Sequence, residues 1–181
     1  MDKRIPQRID HYRYADKGVV LEGVITREES EKDLLRLKEA VVNISSDIEY
    51  YLEFDIDKLS NRIVSGFVKT QVVLQCQRCM KNFVLDIACD ILLAFVQNDF
   101  EAKRAETSCN YEVFWLEEKE FLDPRILIED ELLLAIPHIP VHPDTNCQVQ
   151  SEYLENQEIL EQDFEQTDAE NPFAVLKGLK K

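Results

Sequence analysis

The sequence is poor in the residues that build nucleotide cradles. Four glycines in 181 residues leave no GxGxxG. Gly18 and Gly23 stand at the P-loop's glycine spacing, but Val24 and Ile25 occupy the positions where Lys and Ser/Thr grip phosphate and magnesium. GxSxG is also missing, and none of His11, His138 and His142 has a serine or cysteine beside it in a strand-to-helix elbow, which argues against nucleophilic catalysis. His138 and His142 are four apart, yet Pro140 between them prevents a shared helical face. No run of ~18 apolar residues is present, so no transmembrane helix is expected. No apolar segment follows Met1-Asp2-Lys3-Arg4 either, so we expect no secretory signal and a cytoplasmic protein.

Basic residues are scarce. Lys and Arg number 21 against 36 Asp and Glu, a net charge of −15. Charge of that sign repels a phosphate backbone, so non-specific nucleic-acid binding is not expected to be the main mode. Residues 151–181 hold 3 bases and 8 acids, and 39–150 hold 9 and 20. Five cysteines, an odd count without an export signal, disfavour a disulfide framework and favour metal binding or burial.

What is present is enough for a core, because 45% of the residues are hydrophobic. The expected organisation is one domain over residues 1–150 and an acidic, partly disordered tail over 151–181. Lys17–Thr26 reads as a short strand, and Thr26-Arg27-Glu28-Glu29 has the spacing of a capping box that opens a helix over 28–39. Ala40–Asp57 alternates apolar and polar residues, a strand with one wet face, closed by a turn at Asp57–Asn61. Arg62–Gln75 and Phe83–Phe95 read as two long strands joined at an exposed hairpin tip, Cys76–Asn82. Residues 97–109 read as loop and 110–116 as an edge strand. Asp123-Pro124 looks like an N-cap with proline in the first turn of a helix ending near Ile136, and Pro137, Pro140 and Pro143 force an extended path after it. The fold class is therefore α+β, a curled antiparallel, split-barrel-like sheet packed with two helices, followed by the flexible acidic tail.

The sharpest motif is Cys76-Gln77-Arg78-Cys79. A CxxC at a hairpin tip offers two thiolates to one ion, and His142 and Cys147 are the candidates to complete a zinc site. A redox pair is disfavoured, since thioredoxin-type motifs open a helix, where the terminus lowers the thiol pKa. Cys89 and Cys109 read as structural. Arg78 and Lys81 are candidate phosphate or partner contacts in the same tip. Glu129-Asp130-Glu131 fans across about 200 degrees of a helix, which predicts a solvated face with one buried, hydrogen-bonded carboxylate rather than a metal site.

LQCQRCMKNF (74–83), LIEDELLLAIPHIPVHPDTNC (127–147) and NPFAVLKGL (171–179) together resemble the bacterial YceD family of large ribosomal RNA subunit accumulation proteins. The resemblance implies a cytoplasmic, non-enzymatic protein needed for synthesis, processing or stability of the large-subunit (23S) ribosomal RNA. Many members carry further CxxC knuckles near the C-terminus, where this chain has only His142 and Cys147. The expected partner is a ribosomal or rRNA-processing protein with a basic surface, or a large-subunit rRNA precursor, with no membrane and no small-molecule substrate involved. Phe173 and Leu176 in the terminal segment are candidate docking residues. The alternatives are direct RNA binding by the CxxC tip and a small zinc-binding adaptor, whereas a nuclease would need a carboxylate cluster that cannot be assembled here.

Overall fold

The computed structural model describes residues 4–109, 111–117, 120–143 and 147, the side chains of 108 and 109 excepted. Met1–His142 form one compact unit and Pro143–Lys181 a second. The acidic tail, Phe173 and Leu176 all lie outside the described residues.

The first unit runs α1 (His11–Asp16), β1 (Val20–Ile25), α2 (Arg27–Asp33), α3 (Leu35–Ala40), β2 (Asn43–Ile44), β3 (Ile48–Ile56), β4 (Arg62–Gln75), β5 (Asn82–Val96), α4 (Asp99–Cys109), β6 (Glu112–Trp115) and α5 (Pro124–Ala135). The strands form one six-stranded sheet in the order β1-β3-β4-β5-β6, with β2 beside β4. The α+β class is as expected. The sheet, however, is mixed, because β6 pairs parallel to β5, and it is not closed into a barrel, since the edge strands β1 and β6 do not pair. Parallel neighbours need a crossover, and α4 supplies it.

The long β4–β5 hairpin follows from period-two burial, with Val64, Val68, Val72 and Leu74 turned inward from β4 and Ile87, Ile91 and Leu93 from β5. Phe54, Leu52 and Ile48 of β3 complete this inner face. Helices α1, α3 and α5 are gathered on its side of the sheet, and α5 contributes the buried Leu127, Ile128 and Leu132. At Gly66 in mid-sheet a Cβ would lie 1.8 Å from the Tyr51 carbonyl oxygen, so the close approach of β3 and β4 requires glycine there.

Four expectations are corrected. The single helix over 28–39 is two, because buried Leu34 leaves the helical region (ψ 69°) between α2 and α3, although the Thr26–Glu29 capping box forms as expected. The run 40–57 is broken at Ser45–Asp47. The Ser46 hydroxyl accepts from the Gln71 N–H at 2.8 Å, and the register against β4 slips by two residues between β2 and β3. Residues 99–109 are a helix rather than a loop. The Asn98 side chain accepts from the Glu101 N–H at 3.0 Å, and the apolar stripe is only Ala102 and Ala105, which bury against Ala94 and Val96. Among the described residues five helices are present instead of two, α1 opening on Asp10, whose carboxylate accepts from the Arg13 N–H at 3.1 Å.

Candidate metal centre

The CxxC segment closes the β4–β5 hairpin. The Cys76 N–H donates to the Lys81 carbonyl and the Met80 N–H to the Cys76 carbonyl, both at 2.9 Å, with Met80 in the left-handed region (φ 60°). This tight turn sets the two cysteines side by side. The tip is only partly exposed, contrary to expectation. Gln77, Arg78, Met80 and Lys81 face solvent, whereas Cys76 is fully buried.

What covers Cys76 is the proline-bounded strap after α5. Pro137 and Pro140 keep residues 137–142 out of helix, but the path bends at His138 and Ile139 and is not extended throughout as expected; the Gln77 N–H donates to the Pro140 carbonyl at 2.9 Å, which docks the strap on the tip. His142 is thereby buried at 7% exposure, its ring 5.6 Å from that of Phe83, and the Cys79 sulfur lies 3.8 Å from both ring nitrogens. The ligand atoms of Cys76, Cys79 and His142 fall within 4.8 Å of one another. Tetrahedral geometry with bonds of ~2.3 Å to sulfur and ~2.0 Å to nitrogen puts ligand atoms roughly 3.5–3.8 Å apart, so small side-chain movements would seat one ion. Cys147, five residues beyond His142, falls in the second unit.

The electrostatics favour a thiolate. Burial pushes the Cys76 thiol up, but hydrogen bonds from the backbone of Cys79, His142 and Arg78 and from the Cys79 thiol outweigh it and hold the group down at about 6. Cys89 differs: burial pushes its thiol up, and it donates to the Glu131 carbonyl at 3.6 Å on the inner side of the sheet. Of the other histidines, His11 lies in the core against Phe95, where burial pushes it down, and His138 is in the strap.

The acidic triplet behaves as its helical fan predicts. Glu129 is buried and accepts from the backbone N–H groups of Arg36 and Leu37, whereas Asp130 and Glu131 are partly exposed. The strap brings to the tip the histidine that the sequence offered as a third ligand, His142. Its three prolines were legible, but their effect, to carry His142 back to a tip sixty-three residues earlier, is a tertiary contact.

Fold and site define a small α+β protein whose sheet carries a cysteine–histidine cluster at one hairpin tip. Comparison with known proteins then places it. Residues 64–180 match the model of the family described as Large ribosomal RNA subunit accumulation protein YceD, a span that includes the tip, α5 and the strap. The chain is 30% identical over 182 residues to the Large ribosomal RNA subunit accumulation protein YceD of Haemophilus influenzae, covering 98% of this chain and 97% of that one. The chain belongs to the YceD family. No solved structure matches it.

Proposed function

We propose that this protein is a cytoplasmic ribosome-biogenesis accessory factor that sustains synthesis, processing or stability of the large-subunit (23S) ribosomal RNA, and that it acts by binding rather than catalysis. The observation that carries this reading is the end-to-end correspondence with a relative whose name states that role. The net charge of −15 points to a protein partner, a ribosomal or rRNA-processing protein with a basic surface, through which the chain reaches a large-subunit rRNA precursor. In this reading residues 1–150 are the folded body. Residues 151–181 form a tail whose acids steer that partner and whose Phe173 and Leu176 dock on it. Zinc held by Cys76, Cys79, His142 and Cys147 is a structural ion that locks the strap onto the hairpin tip. Four protein ligands leave no open position for catalysis.

The test is the ratio of large- to small-subunit ribosomal RNA, with their precursors, in cells with and without the protein. We expect a selective fall in the large-subunit RNA, and an unchanged ratio overturns the proposal. A second reading rests on the exposure of Arg78 and Lys81 at the tip, where they are placed to touch phosphate. Direct phosphate contacts make affinity fall steeply with salt, so a salt titration of rRNA binding separates the two.

A further inference from the structure

The sheet has a second face. Among the described residues, α4 covers it only near Ala94, Val96 and Ile63. Elsewhere β1, β3, β4 and β5 project side chains to solvent. One row crosses all four strands as Glu22, Tyr51, Phe67 and Asp90, an acid, two aromatic rings and an acid. The rings of Tyr51 and Phe67 stack at 6.0 Å with an interplanar angle of 11°. Glu49 and Glu53 flank Tyr51 along β3, and Asp55 and Asp86 extend the field. Against these six carboxylates, among the described residues, the four strands contribute one ammonium to this face, Lys69, and Arg4 lines a pocket with Glu22 and Tyr51 at the β1 edge.

Strand spacing of ~4.8 Å puts the two acids ending that row roughly 14 Å apart, with the aromatic pair between them. Lys69 already sits over the Phe67 ring, its nitrogen 4.5 Å from the centroid, which shows the platform accepting a cation. A guanidinium suits the rest of the face better than an ammonium, because its plane stacks on an aromatic ring while its fork of donors reaches carboxylates on either side.

We infer that this open sheet face is the seat of a lysine- and arginine-rich polypeptide segment of a protein partner, bound over the Tyr51–Phe67 pair and ringed by Glu22, Glu49, Glu53 and Asp90. The inference deepens the proposed function by locating the partner's seat, and it rests on that reading for the partner's biological identity. Nucleic acid is excluded as the occupant by the sign of the field. Like charge argues against residues 151–170, which hold eight acids and no Lys or Arg.

The test uses the full chain and an octa-arginine peptide, with backbone amide shifts mapped by NMR and affinity measured by calorimetry. We expect saturable shifts centred on residues 20–24, 49–55, 65–71 and 86–90. The triple variant Glu49→Gln, Glu53→Gln, Asp90→Asn should weaken binding about tenfold, since exposed charge pairs each contribute modestly. Its unfolding transition should match that of the wild type. Neutralising three tail acids instead (Glu158→Gln, Glu161→Gln, Asp163→Asn) should change the affinity less than threefold. Shifts confined to the tail, equal losses in the two variants, or a single-stranded RNA oligonucleotide shifting the same face would each overturn the inference. Because this readout is direct binding, its failure is distinct from an unchanged rRNA ratio, which would instead remove the biological role.

Discussion

Helix α3 is preceded at its N-cap by Leu34, which has no side-chain oxygen to cap it, so its first N–H groups need another acceptor. Glu129, ninety-odd residues away on α5, provides it. One carboxylate oxygen accepts from the N–H of Arg36 at 2.8 Å and of Leu37 at 3.1 Å, and the other takes the Arg36 guanidinium at 2.8–2.9 Å. Replacing Glu129 with alanine strands both N–H groups. Leu37 is fully buried, so losing its acceptor costs about 2 kcal/mol, and Arg36 is an exposed residue, so its N–H costs less, about 1 kcal/mol. The guanidinium is 52% exposed and also pairs with Asp130 at 2.7 Å, so its lost ion pair adds roughly 0.5 kcal/mol. The total of about 3.5 kcal/mol corresponds to roughly 10 °C in melting temperature for a chain of this size. Glu129→Gln keeps one acceptor oxygen and should lose about 1–2 kcal/mol, and Arg36→Met, which leaves the cap intact, about 1 kcal/mol or less. Urea unfolding followed by circular dichroism measures all three. The reasoning fails if Glu129→Ala costs under about 1 kcal/mol, or if Arg36→Met costs as much as Glu129→Ala, since the ion pair rather than the cap would then hold α3.

Gly66→Ala should destabilise the chain by about 3 kcal/mol or prevent folding, because its Cβ meets the Tyr51 carbonyl oxygen. Gly18→Ala, with φ +60° but nothing within 4 Å, should cost only about 1 kcal/mol, and similar losses at the two sites in thermal melts would refute the packing argument. Burial, then the neighbouring Glu112 and Asp130, push the Glu131 carboxyl above its ordinary 4.5. The folded state therefore holds that proton more tightly than the unfolded one, and this stabilisation is present below about pH 4.5 and lost as pH rises through the raised folded value. Glu131→Gln should then stabilise the protein at pH 7.5 by under about 1 kcal/mol, with the gain shrinking toward pH 5, whereas a gain that does not vary with pH contradicts this assignment. Zinc analysis of the purified full chain should find one ion per molecule, lost in Cys76→Ser and Cys79→Ser and kept in Cys89→Ser; melting that is identical with and without zinc would count against a structural ion.

Much of the fold was legible because its signals are local. Alternation fixes the faces of β3, β4 and β5, the Thr26–Glu29 box opens α2, and Asp123-Pro124 opens α5, where the Asp123 carboxylate accepts from the Arg125 N–H at 3.0 Å. Helix α4 escaped notice because alanine at positions 102 and 105 makes an apolar stripe too thin to register by periodicity, although Asn98 and Glu101 carry a start signal. The parallel pairing of β6 was hidden for a related reason: a polar stretch read as loop implies no crossover.

The primary structure on its own determined the α+β class, the hairpin that presents Cys76 and Cys79, the strong negative charge, and the motifs that mark the family. Each depends on residues near one another in the chain, where periodicity, capping chemistry and turn preference act. Only the tertiary structure decided which carboxylate of 129–131 is buried, that the strap brings His142 to the tip, and that acids from three strands surround the Tyr51–Phe67 pair. Those outcomes depend on register and on packing between segments far apart in sequence. Cross-strand neighbours are chosen by the whole sheet, and a buried acceptor is placed by whichever helix end needs it.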